Sequence, residues 1–540
     1  MRLLLLLLCA LLTGCAAVAS TVGSVTAPRT ATLPERAQSW WSHVETLAAD
    51  GMEGRAAGSD GHRRAADYVA QRFGQYGLQP AGEGGGWFQT VTLEERRIVP
   101  EGTRAALSDA DGSTPLGIPG DIFFRVVGGP PPARVDAPLV FIGYGLHLPE
   151  AGHDDFAGLD LAGKVAVVSS GDPAGLSGAL KSHARAERAR LLAERGAAGM
   201  ILVGALAAGE QPWTSMSRIG EAPGMYPAGA EGRRLAAPFL TAYFNPVEAE
   251  KLFAGSGHRF ADVAAAAAAG RPLAGFPLRP RLEATIASMS ETVMSRNVVA
   301  RLPGRDRALA DEHVVLTAHL DGLGIARPVN GDAFYNGALD NAAGVAALLD
   351  IAALFQRQRT RPRRSILFVA VTAEELGLLG SRWFARMPTV PRASIVANLN
   401  YDMALPLFPL TSVVVLGAEE SSLGPEARAV GAEMGLEVLP DPFPERNSFT
   451  RSDQYSFIES GIPAVAFKFG FRPDTPEAAI ERAWRATRYH SPGDDTAQGV
   501  FGVDEIRLHD FIAALALRIA DAEARPRWND DSFFRRFAGD

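Results

Sequence analysis

Five short stretches hold residue types that can do chemistry together: His319-Leu320-Asp321, Asp340-Asn341, Glu374-Glu375, Asp402 and His490. Imidazole and carboxylate are good donors for a divalent cation such as Zn²⁺, at about 2.0–2.2 Å. One carboxylate can bridge two such ions about 3.5–4 Å apart, and the pair can polarise a carbonyl and activate water. Cysteine cannot contribute, because the two in the chain, Cys9 and Cys15, both lie in its first fifteen residues. The candidate bridge is Asp340. It sits in Gly337-Ala338-Leu339-Asp340-Asn341-Ala342-Ala343-Gly344, where a loop meets an amphipathic helix.

Each stretch alone has an ordinary structural explanation. His-x-Asp is commonly a hydrogen-bonded pair, and Asp-Asn before a helix is commonly a cap. Glu-Glu after a strand is usually a solvated loop, and Asp402 and His490 could be turn residues. What argues for chemistry is the set, because each member falls at a predicted strand end or loop.

The elements that must position these residues alternate between apolar strands and helices over 285–525, the pattern of an α/β sheet with covered faces. His313 to Ala318 predicts a strand reaching His319, and Ser365 to Val371 one leading to Glu374 and Glu375. Ile395 to Leu399 leads to Asp402, and Ala464 to Phe467 is a further strand. Asn341 to Phe355 predicts a helix with Val345, Leu348, Leu349, Ala352 and Phe355 on one face. Open α/β sheets place ligands at the carboxyl ends of their strands. Nearer the N-terminus, His62 to Tyr76 has helical spacing, with Gly77 placed to cap it and Pro80 to stop it. Glu53 to Ser59 is a glycine-punctuated loop, and Phe88 to Leu93 a strand.

Residues 120–275 have another texture. Leu139 to Gly145, Lys164 to Val168 and Gly199 to Val203 are short apolar runs suited to buried strands. Ala184 to Arg195 predicts a helix, Asn245-Pro246 a helix start, and Ala264 to Ala269 the end of a small helix. His153, Asp154 and Asp155 fit an exposed polar turn better than a metal site.

The chain has 540 residues, enough for two or three domains. Its net charge of -8 argues against a nucleic-acid partner, which usually meets a basic excess. Arg2, the apolar run Leu3 to Leu12, and Leu12-Thr13-Gly14-Cys15 resemble a bacterial lipoprotein signal. That resemblance implies cleavage before Cys15 and lipidation of its sulfur. Ala16 after it, in place of aspartate, implies sorting to the outer membrane of a Gram-negative envelope. An ordinary signal peptide cut near Ala17 or Ala19 is the alternative.

In order and approximate spacing, His319-x-Asp321, Asp340-Asn341, Glu374-Glu375, Asp402 and His490 resemble the co-catalytic zinc peptidases. That family includes secreted bacterial aminopeptidases and glutamate carboxypeptidase II. The resemblance covers about 35–120 and 280–525, and every motif position is filled. It implies an α/β fold with a mixed, mostly parallel sheet sandwiched by helices. It implies two Zn²⁺ ions and a peptide substrate. His319 and Asp402 would hold one ion, Glu375 and His490 the other, and Asp340 both. Asp321 would orient His319, and Glu374 would be the general base. In the family the peptide after the bridging aspartate is often cis. Tyr489 resembles a tyrosine that stabilises an oxyanion in some relatives, though it could simply pack. Arg451 lies in a stretch resembling one that lines the pocket, though it could simply pair with Asp453.

Between the two parts, Phe141 to Gly145, Asp154-Asp155-Phe156, Leu161 to Val165 and Gly196 to Leu202 resemble a protease-associated domain, which implies a β-rich lid or specificity module. The expected organisation is a signal peptide over 1–15, a tether over 16–34 and the first peptidase part over 35–120. The inserted domain follows over 121–278, the main peptidase domain over 279–525 and a tail over 526–540. The favoured reading is a lipid-anchored exopeptidase, an aminopeptidase. A glutamate-type carboxypeptidase, a mono-zinc glutaminyl cyclase and a non-catalytic envelope binding protein are the alternatives.

Overall fold

The structure is a computed structural model that describes residues 35–204, 213, 216, 217, 223–229, 235–357 and 361–539. Cys15, the signal peptide and the tether lie outside the described residues.

Four parallel strands form the centre of the main sheet, in the order Ser365–Val371, His313–His319, Ile395–Tyr401 and Ala464–Phe469. The first three are buried along their whole length, as continuous apolar runs covered on both faces should be. Successive residues serve opposite faces. Val314, Leu316 and Ala318 join one core, with Trp40, Phe73, Leu348 and Phe511 from the flanking helices. Val315 joins the other, with Phe384, Tyr455 and Phe457. Helices Glu35–Leu47, Asp60–Gln75, Ala343–Arg357 and Gly502–Asp521 thus cover one face, and Leu379–Arg386 and Gln454–Ile458 the other.

Antiparallel strands extend the sheet on both sides. Ser288–Leu302 pairs with Ser365–Val371 and with Phe88–Ile98, and Ser412–Leu416 pairs with Ala464–Phe469. Parallel Glu437–Leu439 closes the far edge. Three helix boundaries follow the sequence signals. Ser59 caps Asp60–Gln75 by accepting from the His62 N–H, Gly77 ends that helix at φ 73°, and Asn245 accepts from the Val247 N–H.

A second, eight-stranded sheet is built from strands between Arg104 and Thr285. It is wider than the 121–278 expected. The long antiparallel ribbon of Phe88–Ile98 and Ser288–Leu302 carries the chain out of the main sheet, and the hairpin Arg104–Asp109 and Gly112–Leu116 already belongs to the second. Gly224–Pro227, from inside the inserted stretch, returns to pair with Phe88–Ile98 in the main sheet. The helix expected over Ala184 to Arg195 starts earlier, at Gly178, because Ser177 caps it through the Leu180 N–H. The tail also differs from expectation. Trp528 and Phe534 are buried in the second face's core, and Trp528 bridges to Ser421. Apolar aromatic surface of that size is stabilising only when it is covered.

Candidate active site

The five stretches converge at the carboxyl ends of the central strands. His319 is the last residue of its strand, Asp402 follows Tyr401, and Glu374 and Glu375 follow Val371. Asp340 lies in an irregular turn, Ala338–Ala342, that precedes the buried helix Ala343–Arg357. Its carboxylate faces two ways. Oδ1 is 3.2 Å from His319 Nε2, and Oδ2 is 3.3 Å from His490 Nε2. Asp402 Oδ1 is 3.5 Å from His319 Nε2, and Glu375 Oε2 is 3.2 Å from His490 Nε2. Two groups of three result, His319 with Asp340 and Asp402, and Asp340 with Glu375 and His490.

These separations fit metal ligation. Donors at tetrahedral corners about 2.0–2.2 Å from a zinc ion stand roughly 3.3–3.6 Å apart. Asp402 Oδ1 is buried and has no hydrogen-bond partner among the described residues, an expensive state for a carboxylate oxygen unless a cation satisfies it. The carboxylates also favour positive charge at both histidines. Burial works against it, but Asp340 and Asp402 carry His319 well above its usual range, and Asp340 and Glu375 carry His490 up to about 10.

The main chain around the bridge is held from below. The N–H groups of Leu339 and Asp340 donate to the two carboxylate oxygens of Asp494, at 3.0 Å each. The Asp340-Asn341 peptide is cis. Asn341 donates to Tyr401 O and accepts from the Gly344 N–H, so it caps the helix while tying the bridge to the strand that carries Asp402. Gly344 is required by this packing, since a Cβ there would lie 2.2 Å from Asn341 Oδ1.

Asp321 does a different job from the one expected. His319 Nδ1 is 3.1 Å from the main-chain carbonyl of Asp321, while the carboxylate is 3.9 Å away. That carboxylate instead accepts from the N–H groups of Glu374 and Glu375, at 3.0 and 3.2 Å. The side chain therefore sets the turn that presents both glutamates. Burial pushes the Glu374 carboxyl well above the usual range; His319 opposes the rise, and Asp402, Asp453 and Glu375 add to it.

Residues 297–504 match the model described as peptidase family M28. A probable glutamate carboxypeptidase of Arabidopsis thaliana is 29% identical over 258 residues, 44% of this chain and 34% of that protein. Leupeptin-inactivating enzyme 1 of Streptomyces exfoliatus is 32% identical over 206 residues, 37% of this chain and 42% of the enzyme. The chain thus matches less than half the length of either relative. The solved aminopeptidase from Aneurinibacillus sp. strain AM-1 superposes with a TM-score of 0.53 at 19% identity, covering 91% of this chain and 94% of that one. At that identity the likeness concerns the fold.

The remaining expected residues take these places. Tyr489 stacks on His490, ring centroids 3.8 Å apart. Burial, with Asp340, Glu375 and Asp402 nearby, raises its phenol, so the O–H is retained as a donor. Arg451 lines a pocket with Asp402 and Tyr489. Among the described residues it makes no ion pair with Asp453, a carboxyl that burial pushes up to about 7. His153 and Asp155 pair with each other, as do His147 and Asp154. Neither pair belongs to a cluster of three or more metal-ligating groups among the described residues.

Sequence reasoning missed Arg55. Fully buried at φ 53°, it donates to the carbonyls of Leu47, Leu320, Asn336 and Gly337. It thereby holds both the loop after His319 and the loop before Asp340. The only local signal was an arginine inside Glu53 to Ser59, a stretch whose glycine allows tight turns. Asp494 and the cations Arg446, Lys468 and Arg485 were also missed, because nothing near them in sequence marks their long-range partners.

Proposed function

We propose that this chain is a di-zinc exopeptidase of the aminopeptidase kind, hydrolysing the first peptide bond of its substrate. The observation that carries the reading is Asp340, whose two carboxylate oxygens each face a different histidine, at 3.2 and 3.3 Å. His319 and Asp402 would hold one zinc, Glu375 and His490 the other, and Asp340 would bridge them. Zinc bound there would polarise the scissile carbonyl and make water more acidic. Glu374 takes the proton from the attacking water and delivers it to the leaving amine. Its place in the turn that Asp321 holds, next to Glu375, suits it to that exchange. Tyr489 donates its O–H to the oxyanion that develops on the carbonyl oxygen. Asp321 and Asp494 keep the glutamate turn and the bridging turn in register with the strand ends. The match to M28 and the printed functions of the relatives support the chemistry.

The second sheet acts as a protease-associated module beside the site, and Cys15 carries the lipid that anchors the protein in the bacterial envelope, facing the periplasm. The lipobox-like Leu12-Thr13-Gly14-Cys15 supports the anchor.

Glu374→Gln keeps the shape and removes the base. The expected result is a fall in kcat of about 10²–10⁴-fold with the zinc content of the purified protein unchanged. A variant of near wild-type rate overturns the assignment of Glu374. A panel of free and N-acetylated aminoacyl substrates, read with the metal content, tests the whole reading. Two zincs with cleavage only of free amino termini are expected, and metal-free, inactive protein would return the chain to a binding role.

A further inference from the structure

The end of the main sheet away from the candidate ligands carries a concentration of arginine. At the amino ends of the central strands the Arg305 N–H donates to Pro362 O, the Arg305 guanidinium to Arg361 O at 2.8 Å, and the Asp306 N–H to Arg363 O. Arg364 and Arg525 both pair with Glu312, and Arg525 also donates to Ala393 O. The stretches before strands His313–His319, Ser365–Val371 and Ile395–Tyr401 therefore meet the end of helix Gly502–Asp521 at one pole. Helix Ala343–Arg357 runs from the candidate site to the same pole and ends there on Arg357. Six arginines are exposed here: Arg305, Arg307, Arg357, Arg361, Arg392 and Arg525. The bracing of the pole falls to another, the buried Arg364, whose guanidinium donates to the carbonyls of Ile519, Ala522 and Glu523 at the helix end. Acids balance the charge only in part. Asp306 pairs with Arg363, Glu312 serves two guanidiniums, and Asp521 lies 3.7 Å from Arg305. Among the described residues Arg307, Arg361 and Arg392 make no ion pair. The six with Arg363 and Arg364, set against Asp306, Asp311, Glu312, Asp521 and Glu523, leave an excess of three positive charges in a chain whose net charge is -8.

Exposed guanidiniums without carboxylate partners suit phosphate, which they bind through paired N–H donors. Spread over three loops and a helix end, these match a surface of repeated phosphates better than one small anion. The first described helix, Glu35–Leu47, begins at the rim of this pole. Asp350 accepts from Arg36 in its first turn and lies 3.5 Å from Arg357. Residues 16–34 separate Cys15 from that helix, a stretch that spans at most about 65 Å. A lipid on Cys15 would keep a bilayer within that reach. We propose that the arginine pole docks on the anionic phospholipid headgroups of the membrane that anchors the chain. The choice of membrane rests on the lipid-anchor reading. Each arginine near an anionic surface adds attraction, and the field fades within a Debye length, so the contact is short-ranged and salt-sensitive. Docked this way, the carboxyl ends of the strands face away from the bilayer, and the candidate site is presented to peptides in solution.

The test uses the full chain as processed by the exporting cell, bound to vesicles of phosphatidylcholine alone or mixed with phosphatidylglycerol. Ala308→Cys carries a fluorophore at the pole. Ile325→Cys carries one at the site end, on a strand next to Leu323, which lines a pocket with Asp340 and His490. Both positions are exposed. Energy transfer to an acceptor on the headgroups reads how near each probe lies. On phosphatidylglycerol we expect transfer from position 308 to exceed that from 325 by about twofold or more. The difference disappears on phosphatidylcholine, in salt of about 0.5 M, and when Arg307→Glu and Arg361→Glu are combined. Both side chains are exposed and make no ion pair, so the double variant should fold and hydrolyse a soluble substrate at the wild-type rate. Anchored protein that transfers equally from both positions, or whose difference survives charge reversal, overturns the docking and leaves the anchor standing. Mass spectrometry of the amino-terminal peptide reports the lipid on Cys15 separately. Protein without that lipid that still partitions onto phosphatidylglycerol about tenfold better than onto phosphatidylcholine, and loses the preference on charge reversal, supports the pole and defeats the anchor. Protein without the lipid and without the preference defeats both.

Discussion

His319 can present Nε2 to Asp340 and Asp402 because its Nδ1 already faces a main-chain carbonyl, that of Asp321. A main-chain partner survives substitution, and a side-chain partner does not. Asp321→Asn should therefore leave His319 oriented but disturb the turn at Glu374 and Glu375, since one of the two N–H groups loses its acceptor and meets an amide NH₂. The expected outcome is a kcat/KM lowered about 10–100-fold with a smaller loss of zinc affinity than His319→Ala causes. Steady-state kinetics paired with zinc titration decide it, and an Asp321→Asn enzyme that fails to bind metal would show that its carboxylate orients the histidine after all. This division of labour was not legible in His319-Leu320-Asp321. A His-x-Asp spacing brings the two residues close but does not say which oxygen faces the imidazole. The two groups of candidate ligands were legible, because a carboxylate or imidazole at three apolar strand ends, together with Asp340 and His490 in turns, has few purely structural reasons to occur as a set. Arg55 was not, since its four acceptors come from three separate stretches, a helix end and two loops.

Helices Glu35–Leu47, Ala343–Arg357 and Gly502–Asp521 meet around a buried charge cluster beneath the strand that carries Asp402. His509 Nδ1 is 2.9 Å from Asp350 and its Nε2 3.0 Å from Glu505. Arg36 also bonds to Asp350, and the Tyr401 hydroxyl donates to Glu505. Burial alone would lower His509, but the bonds to Asp350 and Glu505 outweigh it and raise the imidazole to about 9. A folded value above the unfolded one stabilises fully below the unfolded value, near pH 6.5, and the stabilisation disappears as pH rises through 9. His509→Gln should thus be less stable than the wild type at pH 6, with a pH-dependent share on the order of 3 kcal/mol. That share should vanish by about pH 10. Unfolding midpoints of both proteins across this range are the measurement; a gap independent of pH would mean that His509 is neutral in the fold. At this scale the apolar periodicity gave the helices and their buried faces. It could not give Asp350 as the partner of residues more than 150 positions away, nor the irregular turn at Ala338–Ala342. That turn depends on Asp494 reaching up from a distant loop to hold the N–H groups of Leu339 and Asp340.

Across the whole molecule, the second sheet's segment touches the main one at the wall of the pocket that Arg451 lines. Helix Gly178–Glu194 lies against the loop that carries Arg446, Ser448 and Arg451. Thr450 and Ser182 join through their hydroxyls, and His183 Nδ1 is 2.8 Å from the Tyr455 hydroxyl. The tail braces the same corner, with Phe533 and Phe537 edge-on to His183 and Arg536 paired with Glu150. None of this was visible in the chain's order, because an insertion announces its strands but not the surface it returns to. At Gly178 the helix packs tightly on that loop. A Cβ there would lie 2.5 Å from Asn447 Oδ1 and 2.7 Å from Pro444 O. Gly178→Val should push the 444–451 loop outward while leaving the strand ends and their ligands in place. Since the loop supplies the pocket wall and not the metal ligands, KM should rise by about tenfold with kcat and zinc content near wild type. If kcat fell with KM unchanged, the inserted segment would be acting on the metal-ligating residues themselves. If neither moved in a folded protein, the helix would be a neighbour of the pocket wall without supporting it.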